Sequence, residues 1–359
     1  MSIKVGIVGV GNCASNLIQG LSYYKNVKSN KLVPGLMHPT LGGYKISDIK
    51  VVSAFDIDSK KVGKDLSEAI FQEPNNTVKI SDTPRFDVPI LKGHVFDGIG
   101  EYMTGIVKTD KNQKSVNISK ELQNTGTEIL INFLPVGSEE ATQFYANEAL
   151  KAGCAFLNGM PAFIASNKKW ATRFEEKKIP IIGDDSKSQV GATILHRTLT
   201  KLCMNRGAVI DKTYQLNFGG NSDFLNMLER KRLKSKKISK TEAVQSQMTE
   251  RLSDKKIHIG PSDFVPWLDS RKIAYIRIEG RLFGDVPFNI ETRLDVEDKA
   301  NSSGVIVDSI RCLKIALDRE IGGPLISASA YFCKHPPIQM SDEEARKRVE
   351  MFIEGKIER

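Results

Sequence analysis

Ile3 to Ser15 reads IKVGIVGVGNCAS. The β-formers Ile3, Val5, Ile7 and Val8 make a short apolar run of the kind that becomes a buried strand. It gives way to Gly9-Val10-Gly11-Asn12-Cys13-Ala14 and then to a helical pattern. This is G-x-G-x-x-A, in which the first glycine allows a tight turn and the second lets the backbone approach a pyrophosphate. The third position must be small for helix and strand to pack. Free N–H groups and partial positive charge at the helix start favour phosphate. The motif's place between strand and helix favours dinucleotide binding over a glycine-rich turn without a ligand.

Working outward, the first helix is expected from Asn12 to about Tyr24. A segment with Pro34, Gly35, Pro39, Gly42 and Gly43 then precedes a strand at Lys50 to Phe55. Asp56 ends that strand, where an acid for the ribose hydroxyls belongs; Asp58 and Asp65 are nearby alternatives, and a helix N-cap is the competing use. Residues 72 to 115 show no clear period. An apolar run at Ile129 to Leu134 leads through Pro135-Val136-Gly137 into a helix capped by Ser138, with Glu139 and Glu140 in its first turn. Ala155 to Leu157 and Ile179 to Ile182 read as further buried strands, with a helix around Trp170 to Lys178. This alternation gives a parallel, doubly wound α/β sheet through about residue 190.

The pattern then changes. A helix at Ile194 to Cys203 is followed by strands at Tyr214 to Phe218, Ala274 to Phe283 and Phe288 to Val296. The last two are joined by Gly284-Asp285, which argues for antiparallel pairing. Gly304 to Leu317 returns to helical periodicity. The expected division is a Rossmann domain over 1–191, an α+β open-sheet domain over 192–298, and a return to the first domain with a C-terminal tail over 299–359.

The chain has 359 residues, 40% of them hydrophobic, enough for two domains with a sizeable core. No signal-peptide pattern and no apolar run of bilayer length is present, so a cytoplasmic protein is expected. Cys13, Cys154, Cys203, Cys312 and Cys333 are far apart, which suggests neither a disulfide framework nor a zinc site. His38, His94, His196, His258 and His335 show no zinc spacing, and a helical His196 reads as structural. The formal net charge of +9 suits nucleic acid, an anionic membrane surface or a small anionic substrate alike.

The basic excess is densest at Arg230 to Lys240, RKRLKSKKISK. Lys236 and Lys240 share a face if this is helix. Alternatively, Ser239 is an N-cap completed by Glu242. Either arrangement gathers cations best stabilised by an anion, while aromatic residues that would stack on nucleic acid do not interleave. A solvated basic face is the bland reading. Gly183-Asp184-Asp185-Ser186-Lys187-Ser188-Gln189 follows a buried strand, where doubly wound folds place ligands. Its carboxylates can orient a ribose, a metal or an ammonium group, or close an Asx-type loop.

VGVGNCAS, LPVGSEE, GDDSKSQVGAT, NFGGNSDFLNML, SKKISK, DSRKIAY and SAYFCKHPP, in this order from Ile3 to about Pro337, resemble the 1L-myo-inositol-1-phosphate synthase family in its shorter bacterial and archaeal branch. The resemblance implies an interrupted Rossmann domain with a tetramerising catalytic domain, and an isomerisation without net redox. NAD+ oxidises C5 of glucose 6-phosphate, the C6 enolate attacks the C1 aldehyde, and NADH reduces the ketone to give inositol 1-phosphate. Negative charge develops on successive oxygens, which fixed ammonium groups stabilise. Crowded lysines have lowered pKa values and exchange protons near neutrality.

By the resemblance, Lys236, Lys272 and Lys334 contact sugar oxygens, with Lys240, Ser188 and Gln189 nearer the phosphate. Asp185, Asp223 and Asn221 orient lysines or hydroxyls. Asp298 joins them, or caps the returning helix. In DSRK the role falls to Lys272 rather than Arg271. On the cofactor side the resemblance names Gly9, Gly11, Asn12, Ala14, Asp56, Asp65 and Tyr145, with Asp185 and Ser188 adjoining. An assisting cation, ammonium or a divalent metal, stays open. The competing functions are a simple dehydrogenase of a phosphorylated sugar and a basic nucleic-acid binder.

Overall fold

The computed structural model describes residues 2–28, 31–260 and 263–359. Strand β1 (Ile3–Val8) buries Ile3, Val5 and Ile7 completely and turns through Gly9 into helix α1 (Asn12–Tyr23). Gly9 takes φ +86°, and a Cβ there would stand 2.8 Å from the Phe133 carbonyl oxygen, so the turn requires glycine. The Pro/Gly segment holds a small hairpin, β2 (Thr40–Leu41) and β3 (Tyr44–Lys45), turned by Gly42 and Gly43 at positive φ. Strand β4 (Ile49–Asp56) follows, then α2 (Leu66–Ala69), β5 (Ile90–Lys92), α3 (Ile118–Asn124) and β6 (Ile129–Asn132).

Helix α4 (Glu139–Ala152) corrects one expectation. Ser138 is its N-cap residue but makes no side-chain cap; the Asp97 carboxylate accepts from Glu140 N at 2.8 Å and Ala141 N at 3.1 Å instead. The cap therefore comes from a residue distant in sequence, out of reach of a local motif. Then come β7 (Ala155–Asn158), α5 (Lys168–Glu176) and β8 (Pro180–Ile182).

Helix α6 (Ala192–Asn205) leads into β9 (Val209–Gly219), α7 (Ser222–Asn226), α8 (Lys234–Gln245), β10 (Ile257–Ile259), β11 (Asp263–Phe264), β12 (Arg271–Arg281) and β13 (Pro287–Glu297). The chain closes with α9 (Ala300–Asp318), β14 (Gly323–Pro324), α10 (Ile326–Phe332) and α11 (Asp342–Ile353).

Seven strands form one sheet in the order β14-β8-β7-β6-β1-β4-β5, every pair parallel. One apolar layer packs α1, α9 and α11 on one face, and a second packs α3, α4 and α5 on the other. Truncating a fully buried Ile or Leu in such a layer costs about 2–5 kcal/mol, so the scaffold holds the loops at its strand ends firmly. The segment after 299 is no loose tail: β14 extends this sheet, and Val349 and Phe352 of α11 are fully buried.

The second sheet runs β10-β9-β12-β13, with β11 also on β9. β12 pairs antiparallel with β9 and β13, as the alternating runs suggest, whereas β10 and β11 pair parallel with β9. Period-two alternation sends Gln215, Asn217 and Lys272 to the face under α6 and α8, and Tyr214, Leu216 and Tyr275 outward.

Candidate functional site

Two cavities, of about 1110 Å³ and 980 Å³, lie side by side and share Cys13, Phe133, Met160, Asp223 and Lys299 in their linings. The first sits outside the carboxyl ends of β1, β4 and β6, the crevice where doubly wound sheets take ligands. Gly9, Gly11, Asn12, Asp56 and Tyr145 line it. A Cβ on Gly11 would meet nothing within 4 Å, so the loop backbone faces open space. Gly11 leaves the start of α1 without a side-chain cap, and the first turn has no acid, so its N–H groups are available to an anion.

Asp56 Oδ2 accepts from Val10 N at 2.7 Å, and Oδ1 accepts from Ile57 N at 2.7 Å and Asp58 N at 2.9 Å. These bonds fix the strand end against the glycine loop. Asp58 also lines the cavity, and its buried Oδ2 has no donor among the described residues, a vacancy that suits a ribose hydroxyl. Asn12 Oδ1 accepts from Asn76 N at 2.8 Å and Thr77 N at 3.1 Å. The stretch after residue 72 that lacked a period is thereby pinned across the helix start. Burial pushes the Tyr145 hydroxyl up, so it stays protonated.

The second cavity is basic. Asp185, after β8, is the first hub. Its Oδ1 accepts from Lys334 at 2.8 Å and Lys236 at 3.3 Å, and its Oδ2 from Ser239 Oγ at 2.6 Å. Burial raises the Asp185 carboxyl, and the two ammonium groups more than offset this, leaving it well below the usual range. Lys236 and Ser239 lie within α8, so the helical reading holds and the capping-box reading fails: Ser239 is interior to the helix and spends its hydroxyl on Asp185.

Asp298 is the second hub. Its Oδ1 accepts from Lys272 at 3.2 Å, and its Oδ2 from Lys299 at 3.1 Å and Asn221 Nδ2 at 3.3 Å. Lys299 also reaches Asp223 Oδ2 at 3.2 Å. Asn221 additionally caps α7. Of the two basic residues in DSRK, Lys272 lines the cavity, while its neighbour Arg271 is exposed and pairs with Asp295 at 2.6 Å.

Lys240, one turn of α8 beyond Lys236, is buried and has no carboxylate partner among the described residues. Burial and the charges of Lys236, Lys272 and Lys334 hold its ammonium form well below the ordinary lysine range. It faces a lobe that Ser188, Gly191, Ala192 and Thr193 also line. Gly191 starts α6 with no side-chain cap and no acid in the first turn, a second site where helix N–H groups await an anion. Once an anion brings Lys240 to its charged form, five lysines against three aspartates give this cavity two positive charges in excess, matching a phosphate dianion.

Two expected residues stand elsewhere, and a third, Ala14, has the packing role that its place in the motif implies. Gln189 turns away: its side-chain amide donates to the Gly35 carbonyl, its N–H to Asn301 O at 2.7 Å, and it lines neither cavity. Asp65 caps α2, accepts from Ser67 N, Phe86 N and Val88 N, and lines neither cavity. Ala14 is fully buried and serves only the packing of α1. Cys13, inside the glycine motif, and Lys299, next to Asp298, also line both cavities, and the resemblance assigns neither a role. The signal for Lys299 was its place next to Asp298 at the end of a strand.

A family model described as myo-inositol-1-phosphate synthase matches residues 191–299. An inositol-3-phosphate synthase of Mycolicibacterium smegmatis is 56% identical over 357 residues, 98% of each chain. One of Corynebacterium glutamicum is 50% identical over 357 residues, again 98% of each. The crystal structure of a myo-inositol-1-phosphate synthase-related protein from Thermotoga maritima has the same fold, with a TM-score of 0.80 at 24% identity over 99% of each chain.

Proposed function

The chain belongs to the inositol-3-phosphate synthase family, and we propose that its two cavities divide the family's reaction between them, cofactor in one and sugar phosphate in the other. The enzyme is an NAD-dependent isomerase that converts glucose 6-phosphate into inositol phosphate. The observation that carries the division is the lysine array of the second cavity opening onto the glycine loop of the first.

Bound at the glycine loop, NAD+ supplies two-electron oxidation and re-reduction at C5. The chain's own residues do the rest. Lys240, Ser188 and the start of α6 hold the phosphate; Gln189 has no part in this, and supports the loop from behind. Lys236, Lys272 and Lys334 face the sugar oxygens, where they stabilise the alkoxide, the enolate and the aldolate in turn. Burial and the charges of Lys236 and Lys272 leave Lys334 below the ordinary lysine range, while Asp185 and Asp223 hold Lys236 above it. Lys334 is therefore the member of the pair on Asp185 that exchanges protons, and Lys236 the fixed charge. Asp185, Asp223, Asn221 and Asp298 orient the ammonium groups. Asp56 and Asp58 take the ribose.

The proposed division of the chain is 1–191 and 299–359 for the Rossmann domain and 192–298 for the catalytic and oligomerisation domain. The outward face of the second sheet carries exposed Tyr214, Leu216 and Tyr275, with Phe283 fully exposed at the β12–β13 turn. Such a face is best covered by further copies of the chain, and a homotetramer is the proposed assembly. All five thiols are free, which fits a reducing cytoplasm. Among the described residues no helix is long and apolar enough to cross a membrane.

Glucose 6-phosphate carrying deuterium at C5 tests the reading. Inositol phosphate that retains the label means that oxidation and re-reduction occur on the same cofactor. Label accumulating in free NADH, with an oxidised sugar as product, would instead indicate a simple dehydrogenase.

A further inference from the structure

Oxidation at C5 requires the sugar and the nicotinamide to meet where the two cavities join. Lys299, 7% exposed, lines both cavities at that seam. Its ammonium is held from two elements, by Asp223 in α7 at 3.2 Å and by Asp298 at the end of β13 at 3.1 Å. We propose that Lys299 is a catalytic residue, a built-in cation that stabilises the oxyanion formed beside the nicotinamide, so that turnover needs no added ammonium or metal ion. This inference rests on the synthase reading above.

Three observations support it. An ammonium group has three donors; two are used on carboxylates, and no third acceptor is found among the described residues, so one donor is left for an atom entering the cavity. Three of the four carboxylate oxygens that a free cation would use are already committed. Asp298 gives both oxygens to Lys272, Lys299 and Asn221, and Asp223 gives Oδ2 to Lys299. A metal or ammonium ion that bridged the two aspartates would have to displace Lys299 from between them. Finally, burial would strip the charge from an isolated amine, but Asp298 and Asp223 more than offset it and hold the ammonium form well above the ordinary range. The seam thus keeps its positive charge throughout the cycle.

The test uses the full-length enzyme freed of ammonium and treated with a chelator. Wild-type turnover of glucose 6-phosphate to inositol phosphate is expected to change by less than about twofold when ammonium, magnesium or zinc is restored. Lys299→Ala is expected to lose roughly 100-fold in kcat, in line with loss of one oxyanion donor. Ammonium should restore about tenfold of that in a saturable way, whereas tetramethylammonium at equal ionic strength should not. A readout independent of turnover is cofactor preference by fluorescence titration. Removing a cation beside the nicotinamide favours the positively charged ring, so the NAD+ to NADH affinity ratio should rise about tenfold. Lys299→Met keeps the volume and should show the same shift if the alanine variant fails to fold. Wild-type turnover stimulated more than about fivefold by a cation, or variants with an unchanged cofactor ratio and no rescue by ammonium, would overturn the proposal. A wild-type enzyme that makes no inositol phosphate would remove the synthase reading and this inference together.

Discussion

Lys240 carries a charge that depends on what enters the cavity. Empty, it is buried beside three other lysines without a counterion and is held well below the ordinary lysine range. A phosphate dianion reverses that balance, so binding of inorganic phosphate should be accompanied by proton uptake. Calorimetry in two buffers of different ionisation enthalpy reads the uptake. Lys240→Met should abolish it and weaken phosphate binding roughly 10- to 100-fold. His196 is the opposite case, a group kept neutral by burial and bonded to Thr213 Oγ1 at 2.8 Å. Burial lowers it from 6.5 to about 4. The unfolded chain therefore binds this proton first as pH falls, and the native state resists it. Its stability is full above about pH 6.5, falls by roughly 3 kcal/mol between 6.5 and 4, and then levels off. The stability lost across that range should differ between wild type and His196→Gln by this amount in denaturant titrations. The motif residues Asp185, Lys236, Lys272 and Lys334 were legible because each sits in a recognisable string. Lys299 was legible only as the neighbour of Asp298, since its second partner, Asp223, is brought to it by the fold.

Among elements, strands with a strict period and helices with a strong apolar stripe were legible close to their observed bounds. β1, β4, β6, β12 and β13 are examples, as are α6 and α9. The hairpin of β2 and β3 and the parallel strands β10 and β11 were not, because two or three residues carry no period. In α8 the local capping signal at Ser239 pointed one way and tertiary pairing decided the other. The alternation in β9 and β12 has a further consequence. Lys272 turns in to the site while the adjacent register presents Tyr275, stacked at 5.9 Å on Phe218, to the outside. Tyr275→Glu should leave the inward face intact but place a charge in the proposed contact between copies. Light scattering is expected to show a smaller assembly than wild type; an unchanged mass would move the interface elsewhere.

At the scale of the whole molecule, the interruption of the first domain is what assembles the chemistry. Asp185 comes from the first passage through the parallel sheet, Lys236 and Lys272 from the inserted domain, and Lys334 from the returning segment, yet all four line one cavity. The doubly wound class was readable from the alternation of strand and helix, and the second sheet from the change of period that follows. The meeting of the three segments was not, because it depends on β14 pairing with β8 and on α10 carrying Lys334 back to Asp185. The central claim is that the cofactor is oxidant and reductant within one turnover, and it is tested most directly by supplying glucose 6-phosphate with substoichiometric NAD+ while NADH absorbance and inositol phosphate are followed together. Many equivalents of inositol phosphate for each NAD+, with no accumulating NADH, is the predicted result; NADH rising until NAD+ is exhausted, with product stopping at that equivalence, would contradict it.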